Sequence, residues 1–217
     1  MMKYLMSTIG KKQMVGVAGI GLSLFVLVHM AGNLLIFLGP EAFNKYAYAL
    51  TSNPLIYVAE AGLITIFLIH LVVAMGLVIY NKAAKTQKYA VAATKTKASF
   101  ASKTLHYQGI IILAFLIWHL ISFKYGPHYE VTYDGVQMRD IFTLVVEYFG
   151  NPLNVAAYIF VLLLLGMHLS HGLASSFQTV GFSGEKSDPI IQKIGKAYAF
   201  IVTAGFVSQP IYVYFVH

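Results

Sequence analysis

Five long apolar runs, separated by shorter polar segments, dominate the pattern of this sequence. Each run has the roughly 20 residues that a helix needs to cross the hydrocarbon core of a bilayer. The runs are continuous rather than alternating, and lipid offers no partner for backbone hydrogen bonds, so each run predicts a helix and not a barrel strand. The predicted spans lie at residues 14–38, 54–80, 105–125, 152–177 and 194–215.

The overall composition supports a membrane protein. Hydrophobic residues make up 58% of the 217 positions and charged residues only 11%, whereas soluble chains carry about 25% charged residues. The segments between the runs are interpreted as linkers rather than domain boundaries. The sequence therefore predicts an all-α membrane protein in which residues 1–217 form one transmembrane domain.

Short motifs mark the ends of some spans. Asn53-Pro54 and Asn151-Pro152 have the pattern of a helix N-cap followed by proline at the first helical position. Leu-Gly-Pro at 38–40 predicts the end of the first span.

The distribution of lysines predicts the orientation in the membrane. Lys3, Lys11 and Lys12 precede span one, and the connection between spans two and three is rich in lysine without any acid. By the positive-inside rule both segments, and with them the N-terminus, lie in the cytoplasm. Membrane topology thus accounts for the formal net charge of +7. The lysines of the connection are Lys82, Lys85, Lys88, Lys95, Lys97 and Lys103.

Histidines are the candidate chemistry of this chain. It has no cysteine, which excludes disulfides, iron–sulfur clusters and thiolate-bound or c-type haem. Four of its eight histidines fall in mid-span, one on each of the first four spans. Ionisable groups inside a membrane are costly and usually functional. These four residues are His29, His70, His119 and His168.

Spans two and four place their histidines at equal depth. Both spans start on the outer side, and each histidine follows the first proline of its span by sixteen positions, over residues 54–70 and 152–168. At 1.5 Å per residue, this spacing puts both side chains about 24 Å below the outer edge. His70 and His168 are therefore predicted to share an inner layer.

Spans one and three start on the inner side and form the second layer. Seventeen positions separate Lys12 from His29, and sixteen separate Lys103 from His119. Both histidines then lie about 25 Å above the inner edge. They share an outer layer, roughly 10–13 Å from the inner one.

Two histidines from two helices in each layer favour bis-imidazole ligation of a haem within a four-helix bundle formed by the first four spans. Zinc or copper is the competing metal, but structural zinc needs four ligands, and two histidines without cysteine do not supply them. Glycines on these spans leave room for a flat macrocycle or, alternatively, allow close helix packing. They are Gly16, Gly19, Gly21, Gly32, Gly62, Gly76, Gly109, Gly166 and Gly172.

Two further side chains are candidate site residues. His171, one turn below His168, is a candidate contact of a haem propionate or quinone, or an alternative ligand. Glu60 is the one acid well inside a span, and it lies near the outer edge of the predicted outer haem. It is a candidate acceptor of a quinol proton; the alternative is a hydrogen bond across helices or a contact with interfacial water.

Several strings in the chain resemble one known family. They are HMAGN at His29 with the following GPEAFNKYAYAL, FLIHL around His70, IWHL around His119, and HLSHGLASSFQTVG from His168. Over essentially the whole chain, the sequence resembles the single-polypeptide, two-haem cytochrome b subunit of succinate:quinone oxidoreductases, meaning succinate dehydrogenase or fumarate reductase. The resemblance implies the same four ligands and the same two pairs.

The resemblance also implies partners and a reaction. Such a subunit lies in the bacterial cytoplasmic membrane and anchors a flavoprotein subunit with covalent FAD and an iron–sulfur subunit on the cytoplasmic side. Electrons pass between menaquinone and the iron–sulfur subunit through two b haems, in the tricarboxylic acid cycle or anaerobic respiration. The chain is then the electron-transfer and quinone-site subunit of an enzyme, and residues 81–103 are a plausible docking surface for the iron–sulfur protein.

One position departs from the family pattern. Some members carry a glutamate two positions before the fourth ligand, associated with transmembrane proton movement. Here that position is Gly166, which puts such a proton route in doubt.

Two alternatives remain at this stage. One is the haem b anchor of another quinone-linked dehydrogenase, of the formate dehydrogenase or hydrogenase type. The other is a transporter that uses the histidines as proton relays. Transporters of that class usually show inverted repeats with broken helices, whereas spans one–two and three–four suggest a parallel repeat. Co-purifying subunits and haem content distinguish these possibilities.

Overall fold

The computed structural model of the chain describes residues 2–84 and 100–217. Five helical segments within these residues are long and apolar enough to cross a membrane. The prediction of an all-α, five-span membrane protein is therefore confirmed. Several segments extend beyond the apolar runs because polar residues continue the helices past the hydrocarbon core. The segments are Thr8–Leu38, Leu55–Ala83, Lys103–Lys124, Pro152–Phe182 and Ser187–Val216.

Eight α-helices and one β-hairpin make up the described chain. The helices are α1 (Met2–Leu5), α2 (Thr8–Asn33), α3 (Pro40–Thr51), α4 (Leu55–Ala83), α5 (Phe100–His119), α6 (Ile141–Phe149), α7 (Pro152–Phe177) and α8 (Ser187–Val216). A 3-10 turn at Leu34–Leu38 extends α2, and π turns at Leu120–Lys124 and Gln178–Phe182 extend α5 and α7. Strands β1 (Glu130–Tyr133) and β2 (Val136–Arg139) pair antiparallel, with Glu130 opposite Arg139.

The motif Asn151-Pro152 caps its span as predicted, whereas the prediction that Asn53 is an N-cap with Pro54 at the first helical position was wrong, because Pro54 is itself the N-cap of α4. Asn151 caps α7 by accepting a hydrogen bond from the Leu153 amide at 2.9 Å. The Asn53 side chain accepts from the Leu55 amide at 3.0 Å, so it serves α4 although the helix itself starts at Leu55. Gly39 takes a φ of +96° between span one and α3, a conformation that glycine adopts without steric cost.

The spans form an asymmetric bundle. Helix α2 contacts α4, α7 and α8, and α7 also contacts α5 and α8. A core forms where α2, α7 and α8 meet, around Met30, Leu169 and Val202. By contrast, none of the 29 residues of α4 is buried. Helix α4 therefore stands at the edge of the bundle. Most of the predicted docking segment 81–103, with Lys85, Lys88, Lys95 and Lys97, lies outside the described residues.

The outer connections are folded, in contrast to the linkers expected from sequence. Helix α3, the hairpin and α6 together form an outer cap over the bundle. The hairpin turns at Asp134-Gly135, which both have positive φ, and Asp-Gly is a strong signal for such a turn. The cap shares its core with the outer ends of the spans. Its buried members are Ile36, Phe43, Phe142, Val145, Phe149, Val155, Tyr158, Leu162 and Val213.

A polar network inside this core joins α3 to α6. Asn44 is fully buried. Its amide donates to an Asp140 carboxylate oxygen at 2.8 Å, and its carbonyl oxygen accepts from the Phe142 amide at 3.0 Å. Asp140 also caps α6 through the Thr143 amide. Burial pushes the pKa of Asp140 upward, but the hydrogen bonds from Thr143 and Asn44 outweigh this effect and hold the pKa below 3.8.

Asn44→Ala is expected to lower the free energy of unfolding by about 1–3 kcal/mol, because the Phe142 amide and the Asp140 carboxylate would lose buried partners. Thermal unfolding in detergent measures the effect. Gln137→Ala, which removes an exposed hydrogen bond to Glu130, is the control and should change stability little. Equal stability of the two variants would contradict the role assigned to this network.

Candidate functional site

The structure brings the four mid-span histidines together as two pairs. The rings of His29 and His119 have centroids 5.9 Å apart and planes at 84°. Those of His70 and His168 are 6.4 Å apart at 70°. Two imidazoles that bind one metal ion from opposite sides, each at about 2.0 Å, have ring centres roughly 6 Å apart. Both pairs therefore have the spacing of two axial ligands.

The two pairs lie at different depths of the bundle. A Cβ atom on Gly19 of α2 would lie 3.5 Å from the His70 ring, and one on Gly109 of α5 would lie 3.9 Å from the His168 ring. The outer histidine of each helix follows its glycine by ten residues. Both helices thus give a separation of about 15 Å between the inner and outer pair. The sequence estimate of roughly 10–13 Å was smaller.

In the inner pair, a hydrogen bond at Nδ1 orients the ring of His70 but not that of His168. The Nδ1 atom of His70 lies 3.3 Å from the carbonyl oxygen of Val15, to which it donates. A donor at Nδ1 leaves the lone pair of Nε2 free for a metal ion, which is the usual arrangement of a ligating histidine. The Nδ1 atom of His168 is buried and has no hydrogen-bond partner among the described residues.

The outer pair, His29 and His119, is enclosed by polar and aromatic neighbours. The Nδ1 atom of His119 lies 3.4 Å from the Tyr158 hydroxyl. The Asn33 amide nitrogen lies 3.4 Å from Nδ1 of His29 and donates to the His29 carbonyl oxygen at 2.8 Å. Phe25 and Phe115 stack on the two rings, at 5.4 and 5.8 Å. These contacts restrict the rotation of both imidazoles.

The glycines of the spans fall into two groups. A Cβ on Gly16 or Gly19 would touch Ser176, so these glycines allow α2 to approach α7 closely. A Cβ on Gly62, Gly76 or Gly172 would meet no atom within 4 Å. Paired rings at ligand spacing and an Nδ1 atom of His70 bound to a carbonyl oxygen together fit a flat macrocycle held between two imidazoles.

A protein-only metal site finds less support. No group of three or more histidine and carboxylate side chains that could hold an ion occurs among the residues the structure describes. Structural zinc normally has four protein ligands.

Glu60 has a partner that the sequence did not reveal. Its carboxylate forms an ion pair with the Lys124 ammonium at 2.5 Å, and the two side chains are 39% and 42% exposed. Lys124, a basic residue at the outer end of α5, was a feature of the sequence that could have suggested this ion pair. His171 lies half-buried on α7, one turn from His168 towards the inner end.

The structure also gives a steric reason for glycine at position 166. A Cβ on Gly166 would overlap the hydroxyl of Thr203 on α8. Span five therefore occupies the space that a side chain at this position would need. A glutamate would fit here only if α8 moved away from α7.

Comparison with models of protein families, with curated proteins and with solved structures finds no match to this chain. The functional assignment therefore depends on the geometry of the two histidine pairs and on the motifs in the sequence.

Gly166→Ala is expected to lower the free energy of unfolding by about 1–3 kcal/mol, because the added methyl group would overlap Thr203. Thermal unfolding in detergent measures the loss, and Thr203→Ala in the same chain should restore part of it. Gly172→Ala is the matched control on the same helix. It adds a methyl group into open space and should not destabilise the protein. Equal losses in the two glycine variants would contradict the close packing of α7 on α8.

Proposed function

We propose that this chain is the membrane-anchor cytochrome b subunit of a succinate dehydrogenase or fumarate reductase complex. It passes electrons between menaquinol or menaquinone and an iron–sulfur subunit through two b haems. One observation carries the proposal: four helices present two histidine pairs at the spacing of axial ligands, about 15 Å apart along the bundle. The sequence motifs around these histidines favour this family over other haem-containing anchors.

The chain supplies ligands, orientation and shielding. His29 and His119 would hold the outer haem, and His70 and His168 the inner one. When bound, the haems supply one-electron carriers at two depths of the membrane. The Val15 carbonyl keeps the tautomer of His70 that leaves Nε2 free. His171 is placed to contact a propionate of the inner haem or a quinone.

Glu60 is the proposed acceptor of the quinol proton on the outer side. Its carboxylate contacts the Lys124 ammonium, and a carboxylate is the form of the side chain that accepts a proton. Quinol oxidation releases protons as well as electrons, so a base at the outer edge gives the protons a route to the outer aqueous phase. The carboxylate is partly exposed and could exchange with that phase.

The partner subunits are assigned to the cytoplasmic side of the bacterial inner membrane. The basis is the positive-inside orientation, which places Lys11, Lys12 and Lys82 there. The described residues form membrane spans and an outer cap. We therefore place the dicarboxylate chemistry on a flavoprotein partner with FAD and its electron relay on an iron–sulfur partner.

Purified protein is expected to contain two haems b per chain, measured by pyridine haemochrome and by the reduced-minus-oxidised spectrum. Alanine at any one of His29, His119, His70 or His168 should remove one haem, because a bis-imidazole site loses a ligand. Replacing both members of a pair should remove no more than replacing one of them. Replacing one member from each pair should remove both haems.

His106→Ala and His128→Ala are the matched controls and should keep two haems per chain. A wild-type chain without haem, or two haems in a His29→Ala variant, would refute the proposal. Co-purification of a flavoprotein and an iron–sulfur protein supports the succinate dehydrogenase or fumarate reductase assignment. Different partner subunits would keep the two haems but change the enzyme.

A further inference from the structure

An ion pair joins α4 to the outer end of α5. The ammonium of Lys124 contacts the carboxylate of Glu60 at 2.5 Å, across 64 positions of sequence. Partly exposed ion pairs usually stabilise a protein by about 1 kcal/mol or less. Stability alone is therefore a weak reason to keep two charges at the edge of an apolar bundle, where an ionisable group is costly.

The carboxylate lies at the level of the outer histidine pair. Glu60 precedes His70 by ten residues on α4, which corresponds to about 15 Å. Helix α7 has the same spacing, since Tyr158 precedes His168 by ten residues. The Tyr158 hydroxyl touches the outer histidine His119. Because α4 and α7 both run inward and their histidines meet, Glu60 lies at about the depth of the outer pair.

A π turn rotates Lys124 towards the face of the helix that carries His119. The turn covers Leu120–Lys124, directly after His119, and its hydrogen bond runs from the Tyr125 amide to the Leu120 carbonyl at 3.0 Å. Each residue of a π turn rotates by roughly 80° instead of about 100°. Over the five residues of the turn, this difference brings Lys124 to within roughly 40° of the helix face that carries His119, instead of about 140° away.

The outer cap fixes the backbone at this point. Arg139 of β2 donates to the carbonyl oxygens of Lys124, Gly126 and Pro127, at 3.2, 3.4 and 3.0 Å. Burial lowers the pKa of Arg139 from its ordinary value. The lysine is therefore held at both ends, through its carbonyl by the cap and through its ammonium by Glu60.

We propose that Lys124 is a positioning residue of the quinol site, which holds the Glu60 carboxylate at the level of the outer histidine pair, ready to accept a quinol proton. The inference rests on the proposed function. Oxidation of one quinol gives one quinone, two electrons and two protons. Glu60 takes up the protons one at a time and releases each to the outer aqueous phase, and Lys124 pairs with the carboxylate again after each release. The two electrons would be taken up by the haems that the histidine pairs would hold, which would supply one-electron carriers towards the iron–sulfur partner.

The test measures how fast a quinol reduces the b haems of the purified complex in a stopped-flow experiment. Reduced 2,3-dimethyl-1,4-naphthoquinone is the donor, and dithionite gives the total haem. Lys124→Met is expected to lower the maximal rate roughly ten- to a hundredfold, because a misplaced base slows the step it serves. The half-saturating quinol concentration should change little, since Lys124 acts on the base and not on quinol binding. Lys124→Arg should keep most of the rate.

Lys45→Met is the matched control, because Lys45 pairs with Glu41 and Asp134 in the outer cap, away from the site. Its rate should equal that of the wild type. If Lys124→Met misfolds because Glu60 has lost its partner, the double variant Glu60→Gln/Lys124→Met is measured instead. It removes both charges together and leaves neither unpaired. Its rate should equal that of Glu60→Gln alone, since the two residues act as one unit.

Two failures are distinguishable. A wild-type complex without haem overturns the proposed function, and this inference with it. Two haems and a normal quinol rate in Lys124→Met overturn only the role of Lys124. A normal rate in the double variant also overturns the role of Glu60 as proton acceptor. A rise in the half-saturating concentration at an unchanged maximal rate would also overturn it, because that result would make Lys124 a substrate-binding group.

Discussion

The pairing of imidazoles across helices is the interaction on which the rest of this structure depends. A histidine at mid-depth of a bilayer is costly unless its polar atoms have partners. Each of the first four spans carries one, and the bundle places His29 of α2 opposite His119 of α5, and His70 of α4 opposite His168 of α7. The position of α4 shows the consequence most clearly. Helix α4 has no buried residue and packs mainly against α2. Its His70 nevertheless faces His168 on α7.

A ten-residue spacing recurs on all four of these helices. On α2 and α5 it separates a glycine beside the inner pair from the outer histidine. On α4 and α7 it separates a polar residue, Glu60 or Tyr158, from the inner histidine. Because an α-helix rises 1.5 Å per residue, the spacing of ten residues separates the inner and outer levels by about 15 Å on every helix. The two glycines lie beside the inner imidazole rings, and the Tyr158 hydroxyl contacts the outer His119 ring.

The outer end of the bundle is closed by a folded cap. It has a shared aromatic core and a buried Asn44–Asp140 network. This cap also holds the end of α5 through Arg139, and so fixes the direction of Lys124. Span five adds a further constraint, because it packs against Gly166 and fills the space that a longer side chain would need.

The sequence by itself determined the number of spans, their helical state and the cap of α7, and it assigned the four histidines to two levels. These properties follow from local hydropathy and from the fixed rise of a helix, so neighbouring residues suffice to predict them. Only the tertiary structure decided which glycines pack, which groups face each Nδ1, that the outer loops form a cap, and that Glu60 meets Lys124. Those contacts join residues far apart in the chain. They depend on how each helix is rotated about its axis, and at Lys124 a single π turn changes that rotation by about 100°.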